Sequence, residues 1–244
     1  MFTFFTKKNI IRQDFSVLGT DLHSHLIPGI DDGAPDLETS IALIRAMWEM
    51  GYKKIITTPH VMGEYYPNSS NMIKEGLEKV KKALIIANIP VDLYASAEYH
   101  ADENFESLIR NDDLLPFPGN QLLFELSFYG APPGIEQIIF TLRTKGYNLI
   151  LAHPERYPYY HGKMEALEHY KYMGCAFQLN ILSLTGHYGE PIKKWAEKLL
   201  KADMIDYLGT DLHHERHARM LNTLLPAKQM QKILQNHDFK NKSL

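Results

Sequence analysis

His23 and His25 stand two apart in the segment Asp21-Leu22-His23-Ser24-His25. In an extended chain, residues two apart point to the same side. Both imidazoles can therefore face one metal ion, and imidazole combined with carboxylate suits zinc, manganese or iron. A His-x-His pair alone is a weak signal, since most such pairs are surface or structural. Six further residues change its weight: His60, Glu98, Glu125, His153, Asp211 and His213 each follow or end a β-like run. Asp31 and Asp32 lie in the loop after the first pair. A structural zinc uses four ligands and a catalytic one usually three, so this set points to two or three ions. Ions a few Å apart suit in-line displacement at phosphorus, because they stabilise both the attacking and the leaving oxygen. A hydroxide shared between them would be the nucleophile.

Arginines extend the phosphate reading. Arg156 follows His153 in HPERY, and Arg216 and Arg219 follow His213 in LHHERHAR. Guanidinium forks match phosphate oxygens bidentately. Against the alternative of ordinary surface ion pairs, Arg156 and Arg216 are favoured as phosphate contacts and Arg219 is not. Cys175 offers no thiol route. A cysteine-dependent phosphatase loop needs an arginine six residues on, and that place is held by Ile181. Cys175 opens a β-like run and reads as structural. His100 and His187 are weaker candidates for supporting or substrate contacts, and Tyr65 and Tyr66 could pack on an aromatic substrate or simply within their loop. His161, His169 and His237 read as surface residues, and nothing distinguishes His214 or His217.

The elements that must position these groups alternate along the chain. β-like runs are predicted at 17–21, 54–58, 91–97, 121–126, 148–152, 176–180 and 204–209. Helical spacing appears at 36–50, after the N-cap candidates Asn68-Ser69-Ser70, at 103–110, through Ile135, Ile138, Ile139 and Leu142, at 163–173, from Pro191 onward, and at 215–234. Seven βα units predict a parallel sheet, open or closed as a barrel. In either form ligands bind beyond the carboxyl ends of the strands, where the candidate ligands fall.

With 244 residues and no linker-like stretch, the chain reads as one domain over 1–244. A formal net charge of -3 gives no footprint for nucleic acid, and no apolar run is long enough to span a membrane. The single cysteine excludes an internal disulfide and fits a reducing compartment. The opening MFTFFTKKN is apolar then basic, the reverse of a secretory signal, so a cytoplasmic protein is expected. Phe2, Phe4 and Phe5 read as a small hydrophobic contact or a frayed end rather than a membrane contact.

The stretches DLHSHLIPGIDDG, ITTPHVMGEYYPN, ASAEYHAD, LLFELSF, ILAHPERY, QLNILSLTGHYG and YLGTDLHHER resemble the polymerase and histidinol phosphatase (PHP) superfamily. More closely, they resemble its capsular-polysaccharide branch of bacterial protein-tyrosine phosphatases, the CpsB/YwqE-like group. The resemblance implies a distorted, TIM-like seven-stranded βα barrel and a trinuclear centre, often of manganese. It would place His23, His25, Glu98 and Asp211 on one ion, Glu98, Glu125 and His153 on a second, and Asp32, His60 and His213 on a third. It prefers Asp32 over Asp31, and gives Arg156 and Arg216 to phosphate. The implied activity is hydrolysis of phosphotyrosine on a protein, with the tail of a polysaccharide-export tyrosine kinase as partner. Two alternatives are a PHP-type phosphatase for a small molecule such as histidinol phosphate and, more distantly, a non-catalytic metal-binding or kinase-docking protein.

Overall fold

Helices begin where a side chain can accept the free N–H groups of a first turn. In the computed structural model, which describes residues 14–244, α1 (Leu37–Glu49) follows Asp36, whose Oδ1 accepts from Thr39 N–H at 2.8 Å. Ser69 caps α2 (Ser70–Ile86), and Asp102 caps α3 (Glu103–Arg110) through Phe105 N–H at 2.8 Å. Then come α4 (Ile135–Thr144), α5 (Met164–Tyr172) and α6 (Glu190–Lys201). The long last helix expected at 215–234 is two helices, α7 (Glu215–Leu224) and α8 (Lys228–Asn236). Pro226 lies in the break, where it has no N–H to give and its ring crowds the preceding turn. No helix among the described residues is long and apolar enough to cross a membrane. Phe2, Phe4 and Phe5 lie outside the described residues.

The strands are β1 (Thr20–Asp21), β2 (Lys54–Thr57), β3 (His60–Val61), β4 (Asp92–Ala95), β5 (Glu98–His100), β6 (Gln121–Glu125), β7 (Asn148–Ala152), β8 (Cys175–Asn180) and β9 (Tyr207–Gly209). Every strand pair is parallel. They form one sheet in the order β1-β2-β4 and another in the order β3-β5-β6-β7-β8-β9. The expectation of seven strands closed into a barrel therefore differs from what is observed. Among the described residues there are nine strands in two sheets, and neither sheet is closed. The extra strands, β3 and β5, follow β2 and β4 after breaks at Thr58-Pro59 and Ser96-Ala97. Pro59 cannot donate to a ladder. Backbone bonds carry the pairing through these breaks, with Ser96 N–H donating to Thr57 O at 2.9 Å and Glu98 N–H to Pro59 O at 3.1 Å. The segments just beyond β1 and β9 pair as well. Asp211 N–H donates to His23 O at 2.8 Å, His25 N–H to Leu212 O at 2.9 Å, and Ser24 and Leu212 form an isolated bridge.

Alternation along the strands sorts side chains into two cores. Leu122 and Phe124 of β6, with Leu149 and Leu151 of β7, join the large cluster under the helices. Leu123 and Ile150 point the other way and meet Leu22, Ile56, Phe117 and Tyr207 in a smaller inner cluster. Both sheets contribute to that inner cluster, which closes the molecule below the carboxyl ends of the strands. Strands buried on both faces are typical of parallel sheets.

Asp206, at the entrance to β9, anchors the opposite end. It accepts from Phe177 N–H at 2.8 Å, from Lys240 Nζ at 2.7 Å and from Lys171 Nζ. Burial alone would raise its carboxyl, but these bonds outweigh burial and hold it below the usual value. The depressed value makes its stabilisation present at neutral pH and lost as pH falls through the folded-state value. Asp206→Asn should cost about 1–3 kcal/mol at pH 7. The gap between parent and variant should shrink below pH ~4, as read by urea denaturation at several pH values; a gap independent of pH would contradict this assignment.

Candidate metal centre

His23 and His25 follow β1, His60 opens β3, Glu98 opens β5, Glu125 ends β6, His153 follows β7, and Asp211 and His213 follow β9. The structure brings all of these together with Asp32 in four overlapping groups: His25, Asp32, His60 and His213; His23, Glu98 and His153; His23, His25 and Asp211; His60, Glu98 and Glu125. Glu98 is the hub. Its Oε2 lies 3.1 Å from His23 Nε2, 3.5 Å from His25 Nε2 and 3.2 Å from His60 Nδ1, and its Oε1 lies 2.9 Å from His153 Nε2. Asp211 Oδ1 is 3.3 Å from His23 Nε2 and 3.4 Å from His25 Nε2. Asp32 Oδ1 is 3.6 Å from His60 Nε2 and 3.4 Å from His213 Nε2.

Hydrogen bonding does not account for this crowding. His23 Nε2, His25 Nε2, His60 Nδ1 and Glu98 Oε2 are buried and have no hydrogen-bond partner among the described residues, although each has a facing atom within reach. Such orphaned groups are costly. Two ligand atoms at about 2.1 Å from one ion, at ordinary coordination angles, stand about 3.0–3.4 Å apart. Most of the distances above fall in or near that range, so the residues fit divalent metal ions. Electrostatics agrees. Burial opposes charge on the His23 imidazole, yet Glu98 and Asp211 override it and push it up to about 9. Carboxylates this demanding of positive charge would accept a cation in place of those protons.

A surrounding layer aims the imidazoles. Gln178 Oε1 accepts from His23 Nδ1 at 2.8 Å, leaving Nε2 as the lone-pair nitrogen that faces Glu98. Asp31 Oδ2 does the same for His25 Nδ1 at 2.8 Å and also accepts from His60 N–H at 3.0 Å. The two adjacent aspartates thus divide the work: Asp32 faces the cluster and Asp31 orients His25. Asp211 O accepts from His213 Nδ1 at 2.9 Å, and Asn180 Nδ2 donates to Asp211 Oδ2 at 2.7 Å. Gln178→Leu removes the acceptor behind His23, and affinity for a divalent metal ion should fall about 10–100-fold. Calorimetric titration with the metal checks this; unchanged affinity would show that Gln178 has no orienting role.

Backbone geometry is committed to the same place. His153 (φ 32°) and Asp211 (φ 49°) occupy the left-handed region, which costs a non-glycine residue of order 1 kcal/mol or more and clusters at functional sites. Gly209 lies under the centre, where a Cβ would come within 2.9 Å of His23 Cβ.

Asp32, His60, Glu98, Glu125, His153, Asp211 and His213 line a cavity of about 380 Å³, and His23 and His25 are buried outside its lining. Arg156 enters it between two aromatic faces, Phe128 at 4.8 Å and Tyr188 at 4.3 Å, with Nη1 2.7 Å from Asp211 Oδ2. Tyr66 stacks on His60 at 5.6 Å. The sequence reading did not single out Phe128, Tyr188, Gln178 or Asn180. Gln178 and Asn180 carried a usable signal, being polar residues two apart in a buried strand. Of the two arginines expected on phosphate, the structure brings only Arg156 to this cavity. Arg216 is exposed on the first turn of α7 and lines an adjoining cleft. The buried face of α7 is carried by His217, Ala218 and Leu221, which turns Arg216 outward. Arg219 pairs with Glu215 at 3.0 Å. His100 Nδ1 lies 3.2 Å from Glu125 Oε1, as a supporting contact. His161, expected at the surface, is half-buried and bonded to Glu155 O at 2.8 Å. Cys175 is buried, and burial pushes its thiol up to about 12, so it is unreactive.

Parallel strands and the loops after them bring nine His, Asp and Glu side chains together, which makes this an α/β protein with residue groups able to hold metal ions. The chain belongs to the CpsB/CapC family of capsular polysaccharide synthesis, whose family model matches residues 19–238. It is 31% identical over 195 residues to the tyrosine-protein phosphatase YwqE of Bacillus subtilis, covering 80% of this chain and 77% of that protein. The crystal structures of YwqE from Bacillus subtilis and CpsB from Streptococcus pneumoniae, metal-dependent tyrosine phosphatases, include a chain that superposes with a TM-score of 0.74. The two share 28% identity over 90% of this chain and 96% of that one. A lactonase from Listeria monocytogenes shares the fold alone, at 14% identity and a TM-score of 0.54 over 93% of this chain and 91% of that one.

Proposed function

We propose that this protein hydrolyses phosphotyrosine on a protein substrate, using divalent ions held by His23, His25, Asp32, His60, Glu98, Glu125, His153, Asp211 and His213. The observation that carries this is the convergence of unpartnered imidazole and carboxylate atoms on Glu98, beside an arginine fork in an aromatic-walled cavity. Bound there, divalent ions would activate water and offset negative charge on phosphate. Four overlapping ligand groups give room for two or three ions, with manganese first and iron or zinc as alternatives.

The chain's own residues supply the rest. Arg156 presents donors to the non-bridging oxygens and is held ready by Asp211, Phe128 and Tyr188, so little ordering remains when substrate arrives. Phe128 is 42% exposed at the mouth and, with Tyr66 and Tyr188, offers faces for an aromatic ring. A phenolate leaves with a pKa near ~10 and needs less protonation than an alkoxide. We read the strands as a distorted barrel in one domain, with β2 and β3 as one interrupted strand and β4 and β5 as another. We propose a tyrosine kinase of polysaccharide export, encountered in the cytoplasm, as the substrate; a family named for capsular polysaccharide synthesis and a relative named as a tyrosine-protein phosphatase support this reading.

Phosphate release by manganese-loaded protein from a phosphotyrosyl peptide, a phosphoseryl peptide and histidinol phosphate tests the substrate assignment. The phosphotyrosyl peptide should have the highest kcat/KM, by about tenfold or more, as aromatic walls and an aryl leaving group both favour it. A clear preference for histidinol phosphate would overturn it.

A further inference from the structure

We propose that the cleft adjoining the metal cavity binds a second phosphotyrosine of the same substrate chain. This rests on the phosphotyrosine reading above and deepens it. The cleft has a volume of about 550 Å³; Leu184, Met220 and Leu224 give it an apolar lining, and Lys193, Arg216 and Arg219 add three cations. Arg219 is engaged by Glu215 at 3.0 Å. Neither Lys193 nor Arg216 is paired with a carboxylate among the described residues. Two unneutralised cations beside an apolar surface call for a ligand with a flat apolar body and a strongly anionic end. An aryl phosphate has that form, with a charge of about −1.5 to −2 at pH 7 and oxygens that match a guanidinium fork. A carboxylate side chain carries less charge and no ring to cover Met220 and Leu224.

The cleft and the metal cavity share a thin wall. Thr185 lines the cleft and Tyr188 lines the cavity. Between them, His187 N–H donates to Thr185 Oγ1 at 3.1 Å, and the His187 ring sets its edge on Tyr188 at 4.7 Å and on His217 at 5.2 Å. On the other side, His213 faces the cavity and Arg216, one turn on, faces the cleft. One peptide crossing this wall would engage both, and the second contact would then be intramolecular and raise affinity by effective concentration.

The test uses manganese-loaded, full-length protein and peptides with one hydrolysable phosphotyrosine. A second position, about two, four or six residues away, carries tyrosine, glutamate or a non-hydrolysable phosphonate analogue of phosphotyrosine. At one spacing or more, the phosphonate should lower KM by about tenfold or more relative to tyrosine, with kcat little changed. Lys193→Ala and Arg216→Ala should each remove most of that gain. Both variants should leave kcat/KM on the tyrosine peptide and on a small aryl phosphate unchanged. Four results would overturn the proposal: no gain at any spacing, an equal gain from glutamate, a gain that survives both substitutions, or loss of small aryl phosphate turnover in Arg216→Ala, which would place that arginine in the metal cavity. Binding of the phosphonate peptides, measured by calorimetry on parent and variants, reads the cleft without turnover. A failure of the phosphatase reading would instead appear as no phosphate release from any peptide by the parent protein.

Discussion

Glu98→Gln should lower kcat/KM for a phosphotyrosyl peptide by about 10³-fold or more, a loss of about 4 kcal/mol in transition-state stabilisation. Glu98 is fully buried, and its two oxygens face four imidazoles at 2.9–3.5 Å. An amide keeps the shape, removes the charge and points an NH2 group at nitrogens whose lone pairs are needed for metal. Loss of activity by unfolding is separable from loss of metal. The metal-free variant should still unfold in one cooperative transition, somewhat below the metal-free parent, because Glu98 there faces the positively charged His23 imidazole at 3.1 Å and an amide loses that attraction. The parent should gain about 2.7 kcal/mol from manganese at a hundred times its dissociation constant, and the variant should gain much less. Thermal melts with and without manganese, alongside steady-state kinetics, check both parts. A variant that keeps its manganese stabilisation and its rate would remove Glu98 from the centre.

Arg156→Ala should cost about 10²–10³ in kcat/KM, the range expected when a positioned donor to transition-state charge is deleted. Its effect should fall on kcat more than on KM if the fork meets charge that grows as the bond to the leaving oxygen breaks. Arg156→Lys restores charge without the planar fork or the stacking between Phe128 and Tyr188, and should recover only part of the loss. Kinetics of the three proteins on one peptide decide this. A lysine variant as active as the parent would mean that charge alone matters, and an alanine variant within about twofold of the parent would exclude Arg156 from phosphate binding.

Much of this centre was legible in the sequence because parallel βα order places strand ends on one face, and ligands there can be read without knowing the closure of the sheet. The nine His, Asp and Glu residues expected to converge do so in the structure. The resemblance stated from the same stretches fits the family that the chain belongs to. Periodicity could not show β3 and β5, whose two and three residues are too few to carry a pattern. They decide where His60 and Glu98 sit, since each opens one of these strands. The choice between Asp31 and Asp32 depended on which carboxylate reaches behind His25, a matter of loop path that spacing does not encode. Arg216 departed from expectation for a helical reason. α7 starts right after His213, capped by His214, and its buried face falls on His217, Ala218 and Leu221 rather than on Arg216.

The most direct test of metal-dependent phosphotyrosine hydrolysis at this centre is phosphate release from a phosphotyrosyl peptide by chelator-stripped protein as manganese is added back, with bound metal counted at each step. The stripped protein should be inert, and activity should return and saturate as two or three ions bind per chain. Full activity without metal, or an inert protein with its metal bound, would contradict the account.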